Sequence, residues 1–351
     1  MSTEEIQTPA ISVVVPAFNA AGHLKRCLEA VFSSNDLFHE CIVVDDGSTD
    51  ESTFIAQQAG ARVLHVADGP LGPAHARNRG VQAARGAIVF FVDADVVLAP
   101  GALWRVVKLF QQQPDLAAVF GSYDARPAAS GVISQYRNLL HHFVHQNGNS
   151  VASTFWAGCG AIRRSIFEEI GGFDDKRFLR PSIEDIELGY RLRNAGYRVM
   201  LDKGLQGTHL KHWSFCSMVQ TDIVCRAIPW SRLIVETKET PHDLNLQLGQ
   251  RVSFILAALA CAFLALAVIR LEWLAVSTAA FIGVIAFNRK LYGFFFRQHG
   301  FFFSGACILL HILYYLYSGL SYVYVRTENQ LRRRALIRPV AVNRPPIDLQ
   351  R

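Results

Sequence analysis

Two apolar runs in this chain end in carboxylates. Cys41-Ile42-Val43-Val44 leads into Asp45-Asp46-Gly47-Ser48-Thr49-Asp50, and Ile88-Val89-Phe90-Phe91-Val92 leads into Asp93-Ala94-Asp95. Carboxylates grouped in this way can hold magnesium or manganese, which prefer oxygen ligands and often take only one or two from the protein beside substrate phosphates. They can also accept hydrogen bonds from sugar hydroxyls. A further acidic pair, Glu184-Asp185, follows Pro181-Ser182. One carboxylate there could take a proton as a general base. Each group also has a plainer reading. Asp45 to Asp50 reads as a turn and helix cap, Asp93-Ala94-Asp95 as a surface turn, and Ser182-x-x-Asp185 as a capping pair at a helix N-terminus.

The elements around these residues favour a shared site. A buried parallel strand reads as a continuous apolar run, and open α/β sheets bind ligands beyond the carboxyl ends of their strands. The pattern predicts strands at Ile11–Val15, Cys41–Val44, Arg62–Val66, Ala87–Val92, Leu116–Phe120 and Tyr197–Leu201, while Trp156–Arg163 leads into a helix. It predicts helices at Ala21–Ser33, from a Ser48-x-x-Glu51 capping box, and at Ala74–Ala84, Gly101–Gln113, Ser165–Ile170 and Ile183–Ala195. Strands alternating with helices imply βαβ units and a parallel sheet. The polar, His-rich stretch Ser130–Ser153 carries no clear period.

The chain has 351 residues, 51% of them hydrophobic, and a mean hydropathy of +0.19, high for a purely soluble enzyme. The excess is concentrated near the C-terminus. Val252–Ile269 gives 18 residues without a charge, Trp273–Phe287 gives 15, and Gly305–Val325 gives 21. About 20 apolar residues span a bilayer, so the first and third are span candidates and the second is short. Arg289 to Phe303, with Phe triplets either side of Arg297, reads as an interfacial segment. The formal charge is +6, much of it in the arginine-rich stretch after Tyr324. Arginines beside an apolar segment point to anionic lipid headgroups rather than nucleic acid. Three spans from a cytoplasmic start would put that tail outside, against the positive-inside rule; two would return it. The seven cysteines form no C-x-x-C pair, so neither a zinc site nor a disulfide framework is indicated. Met1 to Ala10 lacks an apolar core, and a cytoplasmic catalytic domain on a multi-pass inner-membrane anchor is the expectation.

The blocks Val13-Val14-Val15-Pro16-Ala17-Phe18-Asn19, Val44-Asp45-Asp46-Gly47-Ser48-Thr49-Asp50, Ala76-Arg77-Asn78-Arg79-Gly80 and Asp93-Ala94-Asp95 occur in order. Gly158-Cys159-Gly160-Ala161-Ile162-Arg163-Arg164, Gly171-Gly172-Phe173-Asp174 and Glu184-Asp185 follow. Together they resemble a family 2 glycosyltransferase over roughly residues 10–235. Each block alone is modest; their order is highly specific.

The resemblance implies a GT-A fold: an α/β architecture with a Rossmann-like, mixed, mainly parallel sheet flanked by helices, here followed by transmembrane helices. It implies an inverting transfer from a nucleotide-diphospho-sugar donor with a divalent metal, Mg2+ or Mn2+. Pro16, Ala17 and Asn19 would lie beside the nucleotide. Asp45 and Asp46 would face base and ribose, Arg77 would hold the nucleotide or its phosphates, and Asp93 would lie near ribose or sugar. Asp95 would hold the metal, with His209 as a further ligand. Asp185 would be the general base, with Glu184, Gly158, Arg226 and Trp230 on the acceptor side. Gln220 to Trp230 partly resembles the Gln-x-x-Arg-Trp signature of processive synthases, but Arg226 is six residues after Gln220 and Trp230 four further on. That departure puts processivity in doubt.

The implied domains are a disordered 1–10, a catalytic domain 11–235, a linker 236–250, a membrane region 251–325 with helices near 252–269, 271–287 and 305–325, and a basic tail 326–351. The expected acceptor is membrane-associated: a polyprenyl phosphate, a lipid-linked glycan or another lipid. The alternatives are a membrane-anchored nucleotide-sugar-binding protein without transfer activity and a nucleotidyltransferase. The latter would bring a Gly-rich, basic phosphate loop, which Pro16-Ala17-Phe18-Asn19 is not.

Overall fold

The computed structural model describes residues 10–67, 69–238 and 248–337. Eight strands form one sheet: β1 (Ile11–Ala17), β2 (Glu40–Asp45), β3 (Arg62–His65), β4 (Ile88–Val92), β5 (Val96–Leu98), β6 (Leu116–Tyr123), β7 (Cys159–Arg163) and β8 (Arg198–His209). Their order is β3-β2-β1-β4-β7-β6-β8-β5. The half made of β3, β2, β1 and β4 is parallel, β7 runs antiparallel to both β4 and β6, and β6 and β8 are parallel. Because β1, β2 and β4 are parallel neighbours, Ala17, Asp45 and Val92 all finish at one edge of the sheet. The carboxylates of Asp45, Asp46, Asp93 and Asp95 therefore gather there.

The helices cover both faces. Val13 and Val15 point to the face covered by α1 (Ala21–Phe32) and α4 (Ala102–Gln112). Val14, between them, points to the face covered by α3 (Pro73–Ala83), α6 (Arg164–Glu169) and α7 (Glu184–Asn194). A sheet buried on both sides is what continuous apolar strands require. α2 (Ser52–Gln58) follows β2 without the expected capping box. Glu51 is the N-cap and makes no side-chain cap bond; Asp50 accepts from the Ser52 amide instead, and Ser48 Oγ accepts from the Asn19 amide. The acidic loop is thus tied both to β1's end, through Ser48, and to the first residue of α2, through Asp50.

The stretch without a clear period holds α5 (Val132–Gln146), a 15-residue helix. Its apolar face, Tyr136, Leu139 and Leu140, meets the C-terminal helices rather than the sheet alone. β8 runs on to His209, well past the predicted Leu201, because its far end pairs with β5.

After β8 come α8 (Phe215–Gln220), a π-helical turn (Thr221–Ala227) and α9 (Ile228–Thr237). α10 (Leu248–Leu266) and α11 (Trp273–Phe287) form a hairpin fastened by Ser277 Oγ donating to the Ala260 carbonyl, 2.8 Å. α12 spans Arg289–Ile337 and breaks at Gly300, whose φ of 77° suits a residue without a side chain. The segment expected to be interfacial is its first limb. It is helical and packs against α5 through Leu291, Tyr292 and Phe295. α10 and α12 are long and apolar enough to cross a membrane, by length and composition alone; α11, at 15 residues, is shorter. The predicted polar linker falls mostly on 239–247 and the predicted disordered start on 1–9, both outside the described residues, as is the tail beyond Ile337.

Candidate active site

A cavity of about 1370 Å³ opens at the edge where the strands end. Pro16, Ala17, Asn19 and Asp46 line it from the β1 and β2 ends, Asp93 and Asp95 from the β4 end, and Glu184 and Asp185 from the start of α7. Arg226 and Trp230 line it from the π-helical turn and α9. The acidic pairs, far apart in sequence, therefore share one chamber. Asp45 is buried behind it, accepting from the Ser48 amide and contacting His65. Gly158 is also behind the wall: a Cβ there would lie 2.6 Å from the Trp156 ring, so the glycine lets that indole lie flat over the backbone.

Asp46 is 4% exposed and accepts from the backbone amides of Leu71 and Gly72, 2.8 and 2.7 Å. It pins the 69–72 loop against the β2 end of the chamber. Asn19 has a positive φ of 49°, and its Oδ1 accepts from the Thr49 amide, 2.8 Å, locking the acidic loop beside it.

The resemblance puts Arg77 on the nucleotide or its phosphates. In the structure its two amino groups are taken by carboxylates: NH2 donates to Asp93, 2.7 Å, and NH1 to Glu184, 2.9 Å. Burial alone would lower its pKa; Asp93, Glu184 and Asp185 reverse that and hold the guanidinium charged. Arg77 therefore fixes the β4 end and the start of α7 relative to each other. Glu184, its partner, is 4% exposed and accepts from the Ser182 amide with its other oxygen.

Asp185 is not the helix cap. Ile183 is the N-cap and makes no side-chain cap bond. The carboxylate instead accepts from the amides of Ala157 and Ile186, 3.2 and 2.8 Å. α7 can press this close because of Gly189, where a Cβ would sit 2.3 Å from the Phe155 amide nitrogen. Burial, then neighbouring Glu184, push the Asp185 pKa up to about 7, against Arg77 and the two amides. A carboxylate poised near 7 suits proton abstraction at neutral pH.

Asp95 and His209 meet at the junction of β5 and β8. His209 Nε2 lies 3.3 Å from Asp95 Oδ2, and His209 Nδ1 lies 2.8 Å from Asn138 Oδ1 on α5. With Nδ1–H donated to Asn138, Nε2 presents a lone pair towards another acceptor. In that tautomer a cation would bridge the two; in the other, Nε2–H donates to Asp95 directly. Ligands at about 2.1 Å on neighbouring octahedral positions lie about 3 Å apart, so this pair fits Mg2+ or Mn2+ completed by donor phosphates and water. Burial works against ionised Asp95, but His209, Lys211 and His23 outweigh it and lower its pKa. Among the described residues no group of three or more ligating side chains occurs.

Several residues of the chamber are not anticipated from the sequence. Tyr123 stacks on His209, ring centroids 4.4 Å apart, and also meets His141 and Trp156. Arg137, His141 and His145 stand four residues apart on α5 and all line the cavity; that i, i+4 spacing was the available signal. Arg137 pairs with Asp222 of the π-helical turn, 2.7 Å, and Asp222 also accepts from Arg226 and from Tyr317 of α12.

Comparison with known proteins agrees with this geometry. Residues 12–171 match the family model described as Glycosyl transferase family 2. An uncharacterized glycosyltransferase of Nostoc sp., alr2836, is 31% identical over 175 residues, 47% of this chain and 54% of that protein. Glycosyltransferase GlyG of Streptococcus pneumoniae is 35% identical over 118 residues, 32% of this chain and 38% of that protein. The chain thus spans about half or less of the length of these curated relatives. Among solved structures, the mannosyltransferase PcManGT of Pyrobaculum calidifontis, in complex with GDP-Man and Mn2+, superposes with a TM-score of 0.55 at 17% identity. The match covers 90% of this chain and 87% of that one, and shows a shared fold. Residues 12–171 of this chain are a glycosyl transferase family 2 domain.

Proposed function

We propose that the protein is an inverting, metal-dependent glycosyltransferase that moves a sugar from a nucleotide-diphospho-sugar to a membrane-associated acceptor. The observation that carries this reading is the single chamber that holds both the Asp95–His209 pair and Asp185. Asp46, Asn19 and Pro16 shape its nucleotide end. Asp95 and His209 would hold Mg2+ or Mn2+, which as a Lewis acid offsets charge on the departing diphosphate. Asp185 takes the proton of an acceptor hydroxyl as that oxygen attacks the anomeric carbon, and the nucleoside diphosphate leaves from the opposite face. PcManGT was captured with GDP-Man and Mn2+, which supports a nucleotide-sugar and a divalent ion for this chamber too.

Anchoring at the cytoplasmic face of a membrane is supported by the length and apolarity of α10 and α12 and by the basic helix end after Tyr324. Holding the chamber at the bilayer raises the effective concentration of a lipid acceptor. The test is a screen of labelled nucleotide-sugars with Mn2+ and membrane lipid extract against the purified full chain. Lipid-soluble label with stoichiometric nucleoside diphosphate is the expected result. Donor binding without nucleoside diphosphate release from any donor would sink the enzyme reading.

A further inference from the structure

The chamber does not stop at Asp185. It continues past Arg226 and Trp230 and runs out between α10 and α12, where Phe254, Ile255, Gly319, Tyr322 and Val323 line it. The helices cross closely at one point. A Cβ on Gly319 would lie 2.1 Å from the Phe254 ring, so only a residue without a side chain lets the ring sit there. Beside that crossing the arm is flanked by apolar side chains open to the surroundings: Ile255 is 55%, Tyr322 41% and Val323 49% exposed. One cavity thus joins the half-buried Asp185 carboxylate to an exposed apolar mouth on the two helices apolar enough to enter a bilayer.

We infer that this arm is the acceptor site and that its occupant is a long-chain lipid with a neutral, hydroxyl-bearing head, entering sideways between α10 and α12. The inference rests on the transferase reading above and adds the acceptor's class and route. A cavity polar at one end and apolar at the other matches an amphiphile. The head is assigned by charge and by chemistry. Histidines aside, acidic and basic side chains around the chamber are equal in number, six of each, and the divalent ion proposed above is matched by the donor's diphosphate. No surplus of cations is left for a phosphate head. A phosphate oxygen is also already a nucleophile at neutral pH, whereas a hydroxyl needs the base that Asp185 places there. In the transfer the hydroxyl oxygen forms the bond to the anomeric carbon, its proton passes to Asp185, and the bond from that carbon to the diphosphate breaks with its electron pair.

The experiment uses the full chain in nanodiscs with two diazirine-tagged probes, a diacylglycerol and the matching phosphatidic acid. The neutral probe should label the α10 and α12 peptides carrying Phe254 and Tyr322. The paired change Ile255→Trp and Val323→Trp fills the mouth from exposed positions and should cut that labelling about tenfold, the loss from excluding about two methylene groups. Ile282→Trp, on an equally exposed part of α11 outside the cavity, should leave it unchanged. Labelling unaffected by the paired change would overturn the site as mere annular lipid. Stronger labelling by phosphatidic acid would overturn the hydroxyl head. Lipid labelling needs no donor, so the two readings fail separately. Donor turnover with no blockable labelling removes this site alone; blockable labelling with no nucleotide-sugar bound removes the transferase reading.

Discussion

His209 Nδ1 faces Asn138 Oδ1 at 2.8 Å, a contact between the last residue of β8 and the middle of α5. When Nδ1–H donates in this contact, Nε2 faces Asp95 as a lone-pair ligand. A partner that orients a ligating histidine is commonly worth about 10–100-fold in metal affinity. Asn138→Ala should therefore weaken Mn2+ binding by about that factor, read by electron paramagnetic resonance of the full chain with nucleoside diphosphate. His209→Ala should weaken it at least as much. An unchanged Mn2+ affinity in Asn138→Ala would show that the contact serves packing only.

Asp185 sets the pH response. Its pKa is pushed up to about 7, and a base works only when ionised. Transfer should fall as pH drops through about 7 and level off above it, while donor binding stays flat. Asp185→Asn should lose about 10²–10⁴ in transfer rate with donor binding kept. Stability gives an independent readout. Since the folded pKa is raised, the protonated form's stabilisation is present at low pH and lost as pH rises through about 7. At pH 8 the asparagine variant should melt no lower than the parent. A lower melting temperature together with lost donor binding would mark Asp185 as structural.

The parts legible in the sequence are those set by local pattern. A continuous apolar run located β1, similar runs ending in acids located β2 and β4, and parallel pairing then forces Asp46, Asp93 and Asp95 to one edge. Arg77 shows what pattern cannot give. Its block is plain in the sequence, but its partners Asp93 and Glu184 lie 16 and 107 residues away, so its bracing role appears only on folding. α5 was obscured because its buried face is made of Tyr136, Asn138 and His145 as well as leucines. An apolar-periodicity test does not register polar residues that are buried by partners on other elements.

Arg77 offers a direct test of that bracing. Arg77→Met leaves Asp93 and Glu184 without their shared cation, and Glu184 is nearly buried. Removing one partner of such a buried group costs about 3–5 kcal/mol. Arg77→Lys keeps charge but not the two-pronged donor, since an ammonium cannot place parallel N–H groups on two carboxylates. The expectation is a marked fall in thermal stability for methionine and a smaller one for lysine, with both losing transfer. If the lysine variant keeps full stability and loses only donor affinity, Arg77 contacts the donor instead.

Asp222 tests how the chamber is joined to the apolar helices. It is 3% exposed and accepts from Arg137 of α5, Arg226 of its own turn and Tyr317 of α12. Three elements that share no sheet are thus held by one carboxylate. The π-helical turn that carries it, Thr221–Ala227, also carries Arg226 into the chamber. Such turns are frequent at functional sites. Asp222→Ala strands the mostly buried Arg137 guanidinium and should cost about 3 kcal/mol, whereas Tyr317→Phe removes one hydrogen bond to a charged group and should cost about 1.5–3 kcal/mol. If the carboxylate couples α12 to the chamber, Tyr317→Phe should also lower transfer to lipid more than donor binding. Equal loss of both would place Tyr317's effect on overall stability, and no loss of either would show that the contacts of α12 other than the Tyr317–Asp222 hydrogen bond suffice to hold it.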